Sequence, residues 1–341
     1  MNTNTNFAKY LCKFLSEYLP HGRNKSPNTI TSYRDTFVLF INYMKDVKNV
    51  KVEKLTLDQL TCQCVLDFLS WIQQDRECGM ATRNYRLAAI HSFISFLQYE
   101  QIGQLEQWQK ILSIKAVKTE SAAINYLTTD GMKALLKQPD TTTANGRRHL
   151  ALLSLMYDTG ARVQEMIDLT PESLRIESKP YTIRIIGKGR KARIVPLLEE
   201  QVCILRKYME ENNLFENYRL KHPLFFNYRN EKLTRAGVTC ILKTYANLAK
   251  KENPGLIPDV ISCHSLRHSK SMHLLQAGVN LVYLRDLLGH VSIQSTDVYA
   301  RADSKQKREA LEKAYTDLVP ENAKTREWEK NPNLLQWLNN L

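Results

Sequence analysis

One stretch interrupts an otherwise helical pattern. Residues 182–197, TIRIIGKGRKARIVPL, hold two β-rich runs, 182–186 and 192–197, around a Gly-Lys-Gly turn. Such runs on either side of a tight turn predict a hairpin. Elsewhere apolar residues recur at helical spacing. The expected fold is therefore mainly α with a small β-hairpin or sheet, an α+β class. At 341 residues the chain is too long for one compact core and comfortable for two domains.

The first hundred residues read as helices. Ser26-Pro27 offers a cap and a proline at a helix start, followed by Tyr33, Phe37, Phe40 and Ile41 at helical spacing. Residues 61–74 carry Val65, Phe68, Leu69 and Ile72, and residues 80–102 carry Tyr85, Ala88, Ala89, Phe93, Phe96 and Leu97. A bundle of about four helices ending near Gly103 is expected, as a domain over 1–112. Residues 113–126, SIKAVKTESAAINY, lack periodicity and suit an exposed linker. Thr128 or Thr129 then caps a new start, and a second domain is expected over 127–320. Its helices read as 198–212, 234–251, 264–277, 281–288 and 304–318. A tail over 321–341 ends in an amphipathic stretch with Leu334, Leu335, Trp337 and Leu338 apolar.

Charge narrows the partners. The formal net charge is +13, shared by both halves, and a basic surface attracts polyanions, of which nucleic acid is the commonest. A soluble basic protein with no such partner gives the same count. No apolar run approaches the roughly 20 residues that span a bilayer, and MNTNTNFAKY lacks a secretory leader pattern. No membrane partner is expected, and the cytoplasm is the expected location. Seven cysteines with no CxxC pair make a poor disulfide framework and a poor zinc site, so structural thiols and no metal are expected.

Four local features carry chemistry. In TGARVQEMIDL, Gly160 ends one helix and Arg162 opens the next, with Glu165 three residues on and on the same face. A surface ion pair has the same appearance. In IIGKGRKARI, Lys188, Arg190, Lys191 and Arg193 suit either a phosphate-binding finger or a solvated basic turn. In HSLRHSKSMHLL, His264 and Arg267 project together, while His268 and His273 read as packing or surface residues. In LLGHVSIQSTDVYAR a glycine-capped helix end places His290 in a turn, and Tyr299 follows nine residues later.

Taken in order, TGARVQE, GKGRK, HSLR, LGH and Tyr299 make the chain resemble the tyrosine recombinase or phage integrase family, which includes the Xer recombinases and transposon integrases. The resemblance covers the second half in detail and the first half loosely, as a helical SAM-like core-binding domain. It implies a catalytic set of Arg162, Lys188, His264, Arg267, His290 and Tyr299, with Glu165 orienting Arg162 or His264. In that scheme Tyr299 attacks a phosphodiester, the arginines clamp its non-bridging oxygens, and His290 adds a hydrogen bond. His264 is a proton acceptor near the phenol, and Lys188, or else Lys191, protonates the 5′-oxygen that leaves.

The product implied is a 3′-phosphotyrosyl bond, without cofactor, ATP or metal. Two such exchanges pass through a Holliday junction in a homotetramer on double-stranded DNA recombination sites. Accessory DNA-bending or directionality proteins are possible partners, and the tail is a candidate for docking on a neighbouring protomer or on its own. Arg83, Asn84 and Arg86 are candidate groove contacts, alongside Arg190 and Lys191; a solvent-facing role fits the first three equally. The competing readings are a type IB topoisomerase, a non-catalytic DNA-binding regulator on the same fold, and a metal-dependent nuclease, which lacks its clustered carboxylates here.

Overall fold

The structure is a computed structural model that describes residues 5–119, 124–187, 189, 191–289, 296 and 298–299. The chain divides into two compact units, Met1–Ala122 and Ala123–Leu341. Among the described residues no helix is long and apolar enough to cross a membrane.

The first unit is helical. Helix α1 (Asn6–Lys13) continues into a π-helical turn, Phe14–Gly22, and is followed by α2 (Pro27–Asp46), α3 (Cys62–Gln74), α4 (Met80–Glu100) and α5 (Leu105–Leu112). The starts read from the sequence are real caps: Ser26 accepts from the Thr29 N–H and Thr61 from the Cys64 N–H. Phe14 sits at the centre, fully buried, with Phe93 at 5.2 Å edge-on. Phe37 meets Phe93 at 5.0 Å and Phe40 meets Phe68 at 5.2 Å, both edge-to-face.

The bundle does not stop near Gly103. Helix α5 adds a further layer, because Trp108 and Ile111 bury completely and Trp108 Nε1 donates to the Gln101 carbonyl at 3.2 Å. Tyr85, read as part of an apolar face, stands out to solvent. All seven cysteines are free; Cys64 faces the Met44 sulfur at 3.4 Å and Cys62 donates to the Lys110 carbonyl.

The second unit runs α6 (Thr129–Lys137), α7 (Ala144–Thr159) and α8 (Val163–Ile167), then β1 (Leu174–Arg175), β2 (Thr182–Ile186) and β3 (Ala192–Pro196). It continues with α9 (Glu199–Glu211), α10 (Arg235–Glu252), α11 (Cys263–Gln276) and α12 (Leu281–Leu288). The hairpin forms where expected and gains a third antiparallel strand in β1. Its register pairs Ile183 with Val195 and Ile185 with Arg193. Ile183, Ile185 and Val195 bury, while Arg184, Ile186 and Ile194 alternate outward. The expected helix over 304–318 and the tail lie outside the described residues.

Two features set the site. The α7 helix is buried through Ala151–Met156, and α11 lies against the same core through small residues, with Ser265, Ser269 and Ser271 all buried. Their hydroxyls are satisfied within the unit: Ser269 Oγ donates to the Ser265 carbonyl at 2.8 Å and accepts the Leu127 N–H at 2.8 Å. Ile124 and Tyr126, read as linker, pack against Met272, Leu284 and Leu288, so the linker's last residues belong to this unit.

Candidate active site

Arg162 is the N-cap residue of α8, and Glu165 stands at the third helical position. The carboxylate of Glu165 reaches back to accept the Arg162 backbone N–H at 2.9 Å through Oε2, in the manner of a capping box. Its Oε1 accepts from Arg162 Nη1 at 2.8 Å. From β3, Arg193 Nη2 donates to Oε2 at 2.7 Å. Glu165 is nearly buried at 5% side-chain exposure, which alone would raise its pKa. The bonds from Arg193 and Arg162 outweigh burial and hold it below the usual carboxylate range.

Arg193 therefore does not join a phosphate-binding finger, as its place in GKGRKAR suggested. It alternates with exposed Ala192 and Ile194 and points inward with Val195, where Glu165 takes its charge. The Gly289 backbone packs against it. That glycine caps α12 in the left-handed conformation, φ +64°, and a Cβ there would lie 3.0 Å from Arg193 Nη1.

Arg267, on α11, is 3% exposed. Its Nη1 donates to the Gly160 carbonyl at 2.6 Å and its Nη2 to the Leu288 carbonyl at 2.8 Å. Both acceptors lie at the C-terminal ends of helices α7 and α12, where the dipole favours a cation. Burial lowers the Arg267 pKa to about 10, with the Arg162 charge acting in the same sense and Tyr299 and Glu165 opposing it, so it stays charged at neutral pH. Gly160 has φ +57°, and a Cβ there would come within 2.9 Å of Leu288 Cδ2. That close approach is what brings the two helix ends to one guanidinium.

His264 opens α11, more exposed than its neighbours. Partial desolvation, Arg267 and Arg162 lower its pKa. Tyr299 is 3% exposed and packs with Met272, Leu275, Leu284 and Leu288. Its hydroxyl meets His268 Nδ1 at 2.9 Å. His268 is the residue that sequence reasoning set aside as packing or surface. The signal was present, since His268 lies four residues from His264 and so on the same helix face; the ring centroids are 6.2 Å apart.

Arg162, Glu165, His264, Arg267 and Tyr299 thus fall in one neighbourhood. Lys188, Arg190 and His290 lie outside the described residues, although Gly189 turns with φ +75°. Lys191 is exposed beside that turn, and its carbonyl accepts the Gly187 N–H at 2.8 Å.

The candidate groove contacts also bond within the first unit. Asn84 pairs with both backbone groups of Val117, donating to its carbonyl at 2.7 Å and accepting its N–H at 3.0 Å. Arg86 Nη1 donates to Thr36 Oγ1 at 3.0 Å, and Arg83 is buried. They pack the first unit together because α4 turns that part of its face toward neighbouring elements of the same unit.

Residues 125–306 match the phage integrase family, and residues 13–101 match the N-terminal SAM-like domain of phage integrases. A putative integrase/recombinase, y4rC, of Sinorhizobium fredii is 31% identical over 341 residues, covering 100% of each chain. The tyrosine recombinase XerD of Listeria monocytogenes serotype 4b is 31% identical over 283 residues, covering 81% of this chain and 89% of the relative. The fold is shared with the XerH site-specific recombinase in its post-cleavage complex with palindromic difH substrate, at TM-score 0.69 and 21% identity over 91% of this chain and 90% of that one. It is shared too with the Tn1549 transposon integrase in complex with transposon right end DNA, at TM-score 0.65 and 16% identity over 89% and 98%. The chain belongs to the phage integrase family and is a tyrosine site-specific recombinase.

Proposed function

We propose that this recombinase cuts DNA by attack of the Tyr299 hydroxyl on a backbone phosphodiester. The reaction leaves a 3′-phosphotyrosyl bond and a free 5′-hydroxyl. The observation that carries this reading is a buried Tyr299 whose hydroxyl meets His268 Nδ1 at 2.9 Å, next in the chain to Arg267, which Arg162 and Tyr299 both influence. Arg162 keeps part of a rigid donor fork open to non-bridging phosphate oxygens, while Arg267, fixed by the Gly160 and Leu288 carbonyls, has further N–H donors and its charge to offer. Together they stabilise charge that builds as phosphorus becomes five-coordinate. Glu165 keeps Arg162 in place and leaves part of its guanidinium open, at 34% side-chain exposure.

The remaining roles follow the chemistry of the family. In that scheme His264 is the proton acceptor near the phenol, His290 adds a hydrogen bond to the phosphate, and Lys188 protonates the departing 5′-oxygen, with Lys191 as its understudy. Because the phosphoester is conserved in the tyrosyl link, a second 5′-hydroxyl can reverse the step without ATP. Two such exchanges make and resolve a Holliday junction.

The recombining unit is a homotetramer on two double-stranded DNA sites, serving a mobile element or replicon, with accessory DNA-bending proteins where direction must be set. Residues 1–112 act as the core-binding domain on the duplex. Supporting recombination over simple relaxation, the full-length relative is itself named an integrase/recombinase.

The test is a nicked duplex carrying the site that the protein selects from a random-sequence pool. Incubated in EDTA, wild type should form a covalent protein–DNA band and Tyr299→Phe should form none. A band with the phenylalanine variant contradicts the assignment.

A further inference from the structure

Tyr299 poses a chemical problem that Arg162 and Arg267 solve only in part. A free phenol has a pKa near 10, so about one molecule in a thousand is phenolate at pH 7. The Tyr299 ring packs among Met272, Leu275, Leu284 and Leu288, while its hydroxyl meets His268 Nδ1. The arginine charge stabilises the anion once formed, but the proton must still go somewhere. His264, the acceptor that the family resemblance suggested, sits on the arginine side, where both guanidiniums act on it.

We propose that His268 is a catalytic residue, the base that takes the Tyr299 proton and aims the oxygen at phosphorus. This rests on Tyr299 being the nucleophile. Three observations carry it. His268 Nδ1 lies 2.9 Å from the Tyr299 hydroxyl, within direct transfer distance. The ring is half-buried and its centroid is 5.6 Å from the tyrosine ring, so the pair is held by packing as well as by the bond. Its neighbour in sequence, Arg267, is near enough to Tyr299 for the two to act on one another, so deprotonation occurs beside a fixed cation.

The protonation state fits. Burial, then His264 and Arg267 from its own helix, lower the His268 pKa, and Tyr299 faces it from the other side. The ring is neutral at pH 7, and the tautomer the proposal requires carries its proton on Nε2 and leaves the Nδ1 lone pair to accept.

The step balances. The Tyr299 Oη–H bond breaks as the proton moves to Nδ1, and Oη bonds to phosphorus. The P–O5′ bond breaks, and the 5′-oxygen takes a proton from the leaving-group acid. One imidazole has gained a proton and one acid has lost it, and resealing returns both.

The same helix supplies a control. His273 Nδ1 meets the Tyr157 hydroxyl at 2.8 Å, a second tyrosine–histidine pair that stands apart from the proposed chemistry. The measurement is the rate of covalent complex formation, from pH 5 to 9, on the nicked pool-selected duplex. The variants are His268→Asn, whose amide oxygen can hold the hydroxyl but not accept its proton, His268→Phe, and His273→Asn.

His268→Asn should bind DNA with unchanged affinity and lose about 10²- to 10⁴-fold in rate at pH 7. Its rate should keep rising with pH as hydroxide replaces the base. Wild type and His273→Asn should share an acid limb, falling tenfold per pH unit below the His268 pKa, that His268→Asn lacks. His268→Phe should be slower than His268→Asn.

A His268→Asn rate and profile equal to wild type overturns the proposal. Should that variant fail to fold, His268→Gln replaces it in the same assay, and a rate and profile equal to wild type overturns the proposal too. Tyr299→Phe separates the two claims. If it still forms the adduct, the nucleophile is wrong; if it is inert while His268→Asn is unimpaired, only the base is wrong.

Discussion

Arg193 reaches from β3 to place Nη2 2.7 Å from Oε2 of Glu165, with side-chain exposures of only 10% and 5%. Because Glu165 also holds both the backbone and the guanidinium of Arg162, one carboxylate ties the hairpin to the turn that presents the candidate phosphate clamp. The hairpin that should carry the acid and the turn that should carry the clamp are thus one rigid piece.

Removing Glu165 leaves Arg193 buried with its charge uncompensated. Glu165→Ala should cost about 3–5 kcal/mol, read by urea unfolding, with Glu165→Gln intermediate. The sign with pH follows from the lowered carboxyl pKa. Its contribution is complete above the unfolded value, about 4.3, and is lost as pH falls through the lower folded value. Wild type should lose stability on acidification below about pH 4.3 more steeply than Glu165→Gln. Equal acid slopes contradict this.

Gly289→Ala places a Cβ 3.0 Å from Arg193 Nη1 in a left-handed position that costs a non-glycine residue about 1–2 kcal/mol. The cleavage rate should fall more than stability alone explains, because the shift is transmitted to Glu165 through Arg193. Parallel urea titrations and single-turnover cleavage assays check it; a variant that is destabilised yet cleaves at full rate contradicts it.

Arg162→Lys and Arg267→Lys keep the charge and lose the fork. Each should slow covalent complex formation by about 10²- to 10³-fold with little change in DNA affinity. A loss of binding with an intact cleavage rate would place these residues in recognition instead.

Asn84→Ala removes two hydrogen bonds to Val117, each contributing about 0.5–1.5 kcal/mol. Limited proteolysis should cut residues 114–119 faster, while DNA affinity changes less than twofold. A tenfold affinity loss with unchanged proteolysis would place Asn84 at the DNA groove instead.

Helix starts were readable because Ser26, Thr61, Thr128 and Thr234 are side-chain caps whose chemistry is local. The hairpin was readable because alternation and turn residues are local too. β1 was not, since two residues paired to β2 carry no periodicity of their own. The same divide runs through the site. Arg162 and Glu165 share a turn of helix, so their pairing was visible. Arg193 was within reach of the alternation rule, but the count of basic residues around the glycines drew it outward. The His268 bond to Tyr299 spans 31 positions and depends on how the end of the chain returns to α11, which no local pattern encodes. Asn84, Arg86 and Arg83 looked like surface charge because the elements they pack against come from distant stretches of the first unit.

In the proposed reaction one hydroxyl, that of Tyr299, forms the covalent link to DNA. The most direct measurement is protease digestion of the trapped complex and mass spectrometry of the nucleotide-bearing peptide, using nicked duplex labelled on either side of the break. The expected result is a single adduct on Tyr299, attached through a 3′-phosphate, with a free 5′-hydroxyl on the other fragment. An adduct on any of the other 15 tyrosines, or cleavage with both DNA ends free of protein, contradicts it.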